Sequence, residues 1–224
     1  MRRPSRRAVS FAFLALGAAL LAQGLWIPAK AELAQHLLNR AWNATREGGH
    51  NVKPWPWADT WPVARIRLPR AGAPLVVLAG ASGRTLAFAP ALLDGSAPLG
   101  APGVTVIAAH RDTHFRGLAS LALGDRFEVE RPDGAVYAYD VAAIDVIDTE
   151  RDHLDMNADE SVVALVTCWP FDAVTPGGSE RYVVTGRLHA PAANDASATV
   201  KRNSRKLSAE LTRGWRAHGH NLRS

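Results

Sequence analysis

The sequence predicts an all-β domain, a closed barrel or a sandwich, with short helices and one N-terminal transmembrane helix ahead of it. Three observations carry this prediction. Ala8 to Ile27 is a twenty-residue run in which only Ser10 and Gln23 are clearly polar, and a span needs about 20 apolar residues. From Val63 the pattern becomes short apolar runs broken by Gly, Pro and Asp at near-regular spacing, the signature of barrels and sandwiches. With 47% of its 224 residues hydrophobic and 21% charged, the chain is too apolar to be wholly disordered and too charged to be a polytopic membrane protein.

Taken in order, residues 1–7 form a basic tip with Arg2, Arg3, Arg6 and Arg7. Positive charge beside a span holds that end in the cytoplasm, so residues 8–27 read as an anchor that exports everything after it. Ala29-Lys30-Ala31 has the small-x-small form that a signal peptidase cuts, which also exports the chain. Retention is favoured because the apolar run is longer than the roughly 7–15 residues of a signal-peptide core. Residues 28–62 divide into an amphipathic helix and a strap. Leu33, Leu37, Leu38, Ala41 and Trp42 fall on one helical stripe. Lys53-Pro54-Trp55-Pro56-Trp57-Ala58-Asp59-Thr60-Trp61-Pro62 is denied regular helix by its prolines and is expected to be extended. Its indoles are expected to pack onto the domain, since tryptophan buries so much area.

Residues 63–189 form the expected folded domain. The candidate strands are 63–68, 75–79, 84–88, 103–109, 125–130, 135–147 (one strand or two), 161–167 and 181–188. Ile66-Arg67-Leu68 and Phe127-Glu128-Val129-Glu130 alternate with period two. Pro132-Asp133-Gly134 is a turn signal between two such runs and predicts a hairpin. Short helical turns are expected near 90–93 and 116–121. Residues 190–224 have few large apolar residues and read as a basic, disordered tail.

A formal net charge of +5 first suggests a nucleic-acid partner, but the distribution argues against one. The tip carries four positives and residues 201–224 a net six, so residues 8–200 carry a net −5. The domain itself is mildly acidic and offers no polyanion footprint. A single cysteine excludes an intramolecular disulfide framework and multi-cysteine zinc sites. The acidic residues Asp145, Asp148, Glu150, Asp152, Asp155, Asp159 and Glu160 are spread over strand and loop. They read as a solvated rim rather than the clustered oxygens calcium requires.

That cysteine, Cys168, follows the apolar run Ser161-Val162-Val163-Ala164-Leu165-Val166-Thr167 and precedes Trp169-Pro170, where proline ends a ladder. His110 closes another run, Gly103 to Ala109, and His114 in the loop beyond reads as a rim residue. Arg181 opens a run 13 residues after the cysteine, enough for a loop and an antiparallel return that brings the two to the same end of a sheet. A thiol near a cation has a raised thiolate fraction. A histidine can protonate a leaving amine, and a fixed guanidinium can stabilise an oxyanion. Each residue also has a bland reading: a core thiol, an incidental histidine, a solvated charge.

Val166-Thr167-Cys168 followed by Arg181 resembles the sortase signature, a strand ending Thr-x-Thr-Cys with an essential arginine about a dozen residues on. Ala164 or Leu165 stands where a first threonine is usual. Ala108-Ala109-His110-Arg111-Asp112-Thr113 is similar to the sortase histidine segment, with Ala109 where glycine is common. The anchor, amphipathic helix and Trp-Pro strap look like the Gram-negative sortase class. The resemblance implies a closed eight-stranded sortase β-barrel, an enzyme of the inner membrane with its catalytic domain in the periplasm, and cysteine transpeptidation. Cys168 would cleave an LPxTG-like C-terminal sorting signal of an exported partner protein through a thioacyl-enzyme, resolved by an amine. His110 would be general acid then base, Arg181 the oxyanion clamp, and Thr167 a supporting donor. No metal or organic cofactor is implied. The alternatives are a non-sortase cysteine protease or hydrolase, which in papain-like enzymes carries its cysteine on a helix, and a membrane-tethered β-domain that only binds partners.

Overall fold

The computed structural model describes residues 6–69, 72–173, 175 and 177–189. The expected tail, 190–224, and most of the basic tip lie outside the described residues. The anchor and the amphipathic segment form one unbroken helix, α1 (Arg6–Arg46), with Pro28 inside it. At 1.5 Å per residue this helix is about 60 Å long. Its apolar half is long enough to cross a membrane, and none of its described side chains is buried. Its far end is different: Leu38, Ala41 and Trp42 are fully covered.

The domain is a closed barrel of eight strands in the order β1-β2-β3-β4-β7-β8-β6-β5. They are β1 (Pro62–Arg67), β2 (Leu75–Ala79), β3 (Ala91–Leu92), β4 (Gly103–Ala108), β5 (Arg126–Glu130), β6 (Val136–Asp148), β7 (Ser161–Cys168) and β8 (Glu180–Leu188). Closure removes every unpaired sheet edge. Two pairs run parallel, β2 with β3 and β4 with β7. The others are antiparallel, including the β5–β6 hairpin that turns at Pro132-Asp133-Gly134.

Seven of the expected strand runs fall on strands, and two stretches differ. The run at 84–88 is not a strand. It belongs to a one-turn helix, α2 (Gly83–Leu86), whose N-cap Ser82 accepts from the Thr85 backbone N–H at 3.2 Å. Leu86 and Phe88 alternate as strand residues would, but a serine three residues before Thr85 caps the first turn. The strand that fills the barrel is β3, where a helical turn was expected. Two residues are too short to show a period; β3 exists because Pro90 C=O accepts from Leu78 and Leu92 lies opposite Ile107. The 135–147 run is one strand, with a bulge between Val141 and Ala143.

Inside the barrel, Phe127 stacks on Tyr139 with centroids 5.5 Å apart, and the Tyr139 hydroxyl meets Ser161 Oγ at 3.0 Å. Gly186 leaves the room for this pair: a Cβ there would lie 2.5 Å from the Phe127 ring. Outside, α1 is held by a second apolar cluster in which Leu38 and Trp42 pack with Val76, Leu78, Ala89 and Ala91. The strap is tied to β2 by Thr60 Oγ1 donating to Ala79 C=O at 2.7 Å. Trp55 packs edge-on against Phe88 at 4.8 Å. Trp57 departs from the expected packing, with 80% of its surface exposed.

Candidate active site

Alternation along β4, β7 and β8 divides their side chains between two faces. Ile107, Ala109, Val163, Leu165 and Val184 point into the barrel core. Val104, Val106, Val162, Ala164 and Val183 form a separate apolar layer on the outer face, with Leu154, Met156 and Ala158 of the β6–β7 loop packed against it. Cys168 falls on that outer face, two residues past Val166, and is half-buried.

Register brings two of the three candidate residues level. Cys168 and Arg181 are direct partners across the β7–β8 ladder. On the other side, β4 and β7 run in parallel register up to Ala108 opposite Val166. The ladder ends there, and His110 follows two residues later in an extension beyond the strand. A pair of hydrogen bonds holds the extension: Ala109 N–H donates to Val166 C=O at 3.1 Å, and Thr167 Oγ1 donates to Ala109 C=O at 2.7 Å. Neighbouring strands lie about 4.8 Å apart, so Arg181 lies one strand spacing from Cys168, and His110 is carried by the segment that continues from the strand on the other side of β7.

Thr167 itself faces inward and is 2% exposed. Its hydroxyl is already committed to Ala109, so it locks the end of β7 to the residue before His110 and does not face a substrate. The Arg181 guanidinium is fixed by Nη1, which donates to Gly178 C=O at 2.9 Å and Glu180 C=O at 2.8 Å. An arginine tethered on one nitrogen keeps its planar fork in place for a second acceptor.

Arg111 is the residue that sequence reasoning passed over as loop. Its Nη2 donates to Ala173 C=O at 2.9 Å, which ties the segment after His110 to the β7–β8 loop after Cys168. Nothing in the sequence pattern marks it, because its partner is a backbone carbonyl 62 positions away. Beyond the thiol, Trp169 stacks on Tyr182 at 5.5 Å and Phe171 meets Tyr182 edge-on at 5.1 Å, giving the loop an aromatic foot. Among the described residues no group of three His, Cys, Asp or Glu side chains is placed to hold a metal ion.

His114 is half-buried rather than a free rim residue. Burial, and then the neighbouring His110, hold its imidazole below the ordinary histidine range, against the opposing pull of a hydrogen bond to the Phe88 backbone and the charge of Asp112. The unfolded chain, with a value near 6.5, therefore takes up the proton first as pH falls. The resulting stability is present in full above about pH 6.5 and is lost as pH falls through the lowered value. The thermal midpoint should drop as the buffer is taken from pH 7 toward 5, and His114→Gln should flatten that dependence. An unchanged slope in the variant, measured by calorimetry across that range, would assign the loss to other groups.

Residues 66–189 match the family model described as the sortase domain. No protein of curated function matches the chain significantly in sequence. Solved structures with the same fold include sortase A from Corynebacterium diphtheriae, 27% identical with a TM-score of 0.54 over 63% of this chain and 66% of that one. Sortase C-1 from Actinomyces oris is 32% identical with a TM-score of 0.52 over 58% of this chain and 75% of that one. Clostridium perfringens sortase C, solved with the C-terminal cell wall sorting motif, shares the fold at 22% identity and a TM-score of 0.53, over 73% of this chain and 91% of that one. With the family model covering more than half of the sequence and the barrel matching solved sortases, this chain belongs to the sortase family, the cysteine transpeptidases.

Proposed function

We propose that this protein is a membrane-anchored transpeptidase that cleaves an LPxTG-like C-terminal sorting signal on an exported partner protein and transfers the partner to an amine. The observation that carries this reading is the direct pairing of Cys168 with Arg181 across the β7–β8 ladder, with His110 just past the end of β4 on the other side of β7. An extended peptide running past the end of β7, beside the apolar layer that the β6–β7 loop covers, would bring a scissile carbonyl to the thiol. The sorting motif bound in the Clostridium sortase C structure belongs to that protein; its chemistry is the model for the substrate class here.

In the proposed reaction the Cys168 thiolate adds to the carbonyl carbon, and the oxyanion is held by the Arg181 guanidinium. The intermediate collapses by breaking the C–N bond, with His110 giving its proton to the leaving amine. A thioester remains on Cys168. An incoming amine then adds to that carbonyl, His110 takes its proton, and the thiolate leaves. Arg111 and Thr167 act at one remove, by fixing the loops on either side of the thiol.

The N-terminal arginines, the apolar run and the strap support placement in the Gram-negative class, with α1 in the inner membrane and the barrel in the periplasm. The test is intact-mass measurement of the full chain in detergent with an LPxTG-like peptide. A peptidyl adduct on the sole cysteine, released by hydroxylamine as the hydroxamate, is the expected result. Peptide turnover without a hydroxylamine-sensitive adduct, or with water as the only competent acceptor, would favour a hydrolase instead.

A further inference from the structure

The apolar stripe of α1 is wider than the surface the barrel covers. Leu38, Ala41 and Trp42 are buried, but Leu33 is 58% exposed. It opens onto a groove of about 440 Å³ walled by Lys30, Leu33 and Leu37 of α1, Trp57 of the strap, and Arg84 and Phe88 at α2. The indole of Trp57 stands out of this wall, although an 80% exposed tryptophan forfeits most of its burial energy in water.

The position of the groove along α1 says what covers it. The apolar run ends at Ile27, and at 1.5 Å per residue Lys30 and Leu33 lie about 4 and 9 Å further along the axis. The headgroup layer adds about 5–7 Å to each side of the hydrocarbon. The groove therefore begins within that layer, continuous with the lipid-facing surface of the helix. Its side chains suit that depth. Tryptophan is enriched at the membrane interface, and Lys30 sits over the Trp26 ring at 4.6 Å, its ammonium available to headgroup phosphate. Arg84 pairs with Asp59 at 3.4 Å, so the rim keeps a net positive charge from Lys30. Anionic lipid attracts such a rim.

We propose that this groove is a lipid seat: the interfacial part of a phospholipid in the leaflet that α1 leaves enters between Leu33 and Trp57 and holds the barrel down against the membrane. The inference rests on α1 being a retained anchor. It adds that the barrel, already packed on α1, is also held to the bilayer surface. Phe88 lines the groove and its carbonyl accepts from Gln35 of α1 at 2.9 Å, so the groove wall is tied to the helix that enters the membrane.

The experiment uses the full chain labelled with 5-fluorotryptophan in nanodiscs of phosphatidylethanolamine and phosphatidylglycerol. The Trp57 fluorine resonance is identified by its loss in Trp57→Phe. With phospholipid spin-labelled near the headgroup, that resonance should lose most of its intensity, as Trp26 does. Leu33→Glu, a change at an exposed site outside the span, should restore it while flotation with the lipid is unchanged. A chain that floats with lipid but keeps a sharp Trp57 resonance overturns the seat and leaves the anchor standing. A chain that does not float overturns the anchor and the seat with it. Broadening that appears only after removal of residues 190–224 would assign the groove to that segment instead.

Discussion

Replacing Cys168 by alanine should abolish processing of the partner protein and remove the hydroxylamine-sensitive adduct, with the barrel intact. The thiol sits on the last residue of β7, half-buried on the outer face and outside the core cluster that holds Val163, Leu165 and Val184. Taking one sulfur atom from such a site leaves no closed cavity, so the stability cost should be about 1 kcal/mol or less, against roughly 2–5 kcal/mol for truncating a core leucine. The Ala109–Val166 and Thr167–Ala109 hydrogen bonds do not involve the side chain and should survive. Cys168→Ser is the sharper control. It keeps a hydroxyl of similar size in place but cannot supply a thiolate, and should be as inactive as alanine. Cleavage of a genuine partner by either variant, with folding confirmed by an unchanged unfolding midpoint, would remove Cys168 from the chemistry.

The sequence made most of this barrel legible because its long strands announce themselves by period. Gly103 to Ala109 and Ser161 to Thr167 are nearly continuous apolar runs, and the structure explains why: β4 and β7 pair in parallel and are covered on both faces, by the core within and the Leu154–Met156 layer without. Phe127 and Val129 alternate because β5 has one wet face. The failures have physical causes of their own. β3 has two residues and is defined by its neighbours, not by its own sequence. The 84–88 run carries strand-like alternation, yet the Ser82 cap and the packing of Phe88 on Trp55 turn it into a helical turn. The candidate site was legible because a sole cysteine, a histidine and an arginine each fall at the end of a strand-like run. What spacing alone did not convey was the direct pairing of Cys168 with Arg181, or the Arg111 tether, which depends on a carbonyl in a distant loop. Trp57 shows the reverse case. Burial is the ordinary fate of a tryptophan, and composition has no means of flagging the one that faces outward.

Arg181→Lys should lose activity by about 10²–10³ in kcat/KM although the charge is retained, the usual effect of deleting one oxyanion donor, or roughly 2.7–4 kcal/mol. The reason lies in how the guanidinium is held. Nη1 is committed to two loop carbonyls, Gly178 and Glu180, and the remaining N–H groups make no hydrogen bond to any described residue. One planar group therefore satisfies the loop with one nitrogen and leaves the others uncommitted, on the residue paired with Cys168. A lysine has a single nitrogen on a flexible stem. Reaching Gly178 C=O and Glu180 C=O uses its donors and points them away from the thiol, while reaching toward the substrate leaves the loop carbonyls without their tether. Either arrangement loses half of what arginine does. The alkylation rate of Cys168 by a small thiol reagent separates the two parts of the effect. Because a nearby cation remains, that rate should stay within a few-fold of wild type, while acyl transfer from peptide collapses. A lysine variant that turns over peptide at close to the wild-type rate would show that Arg181 only pins the β7–β8 loop and that the oxyanion is stabilised by another donor.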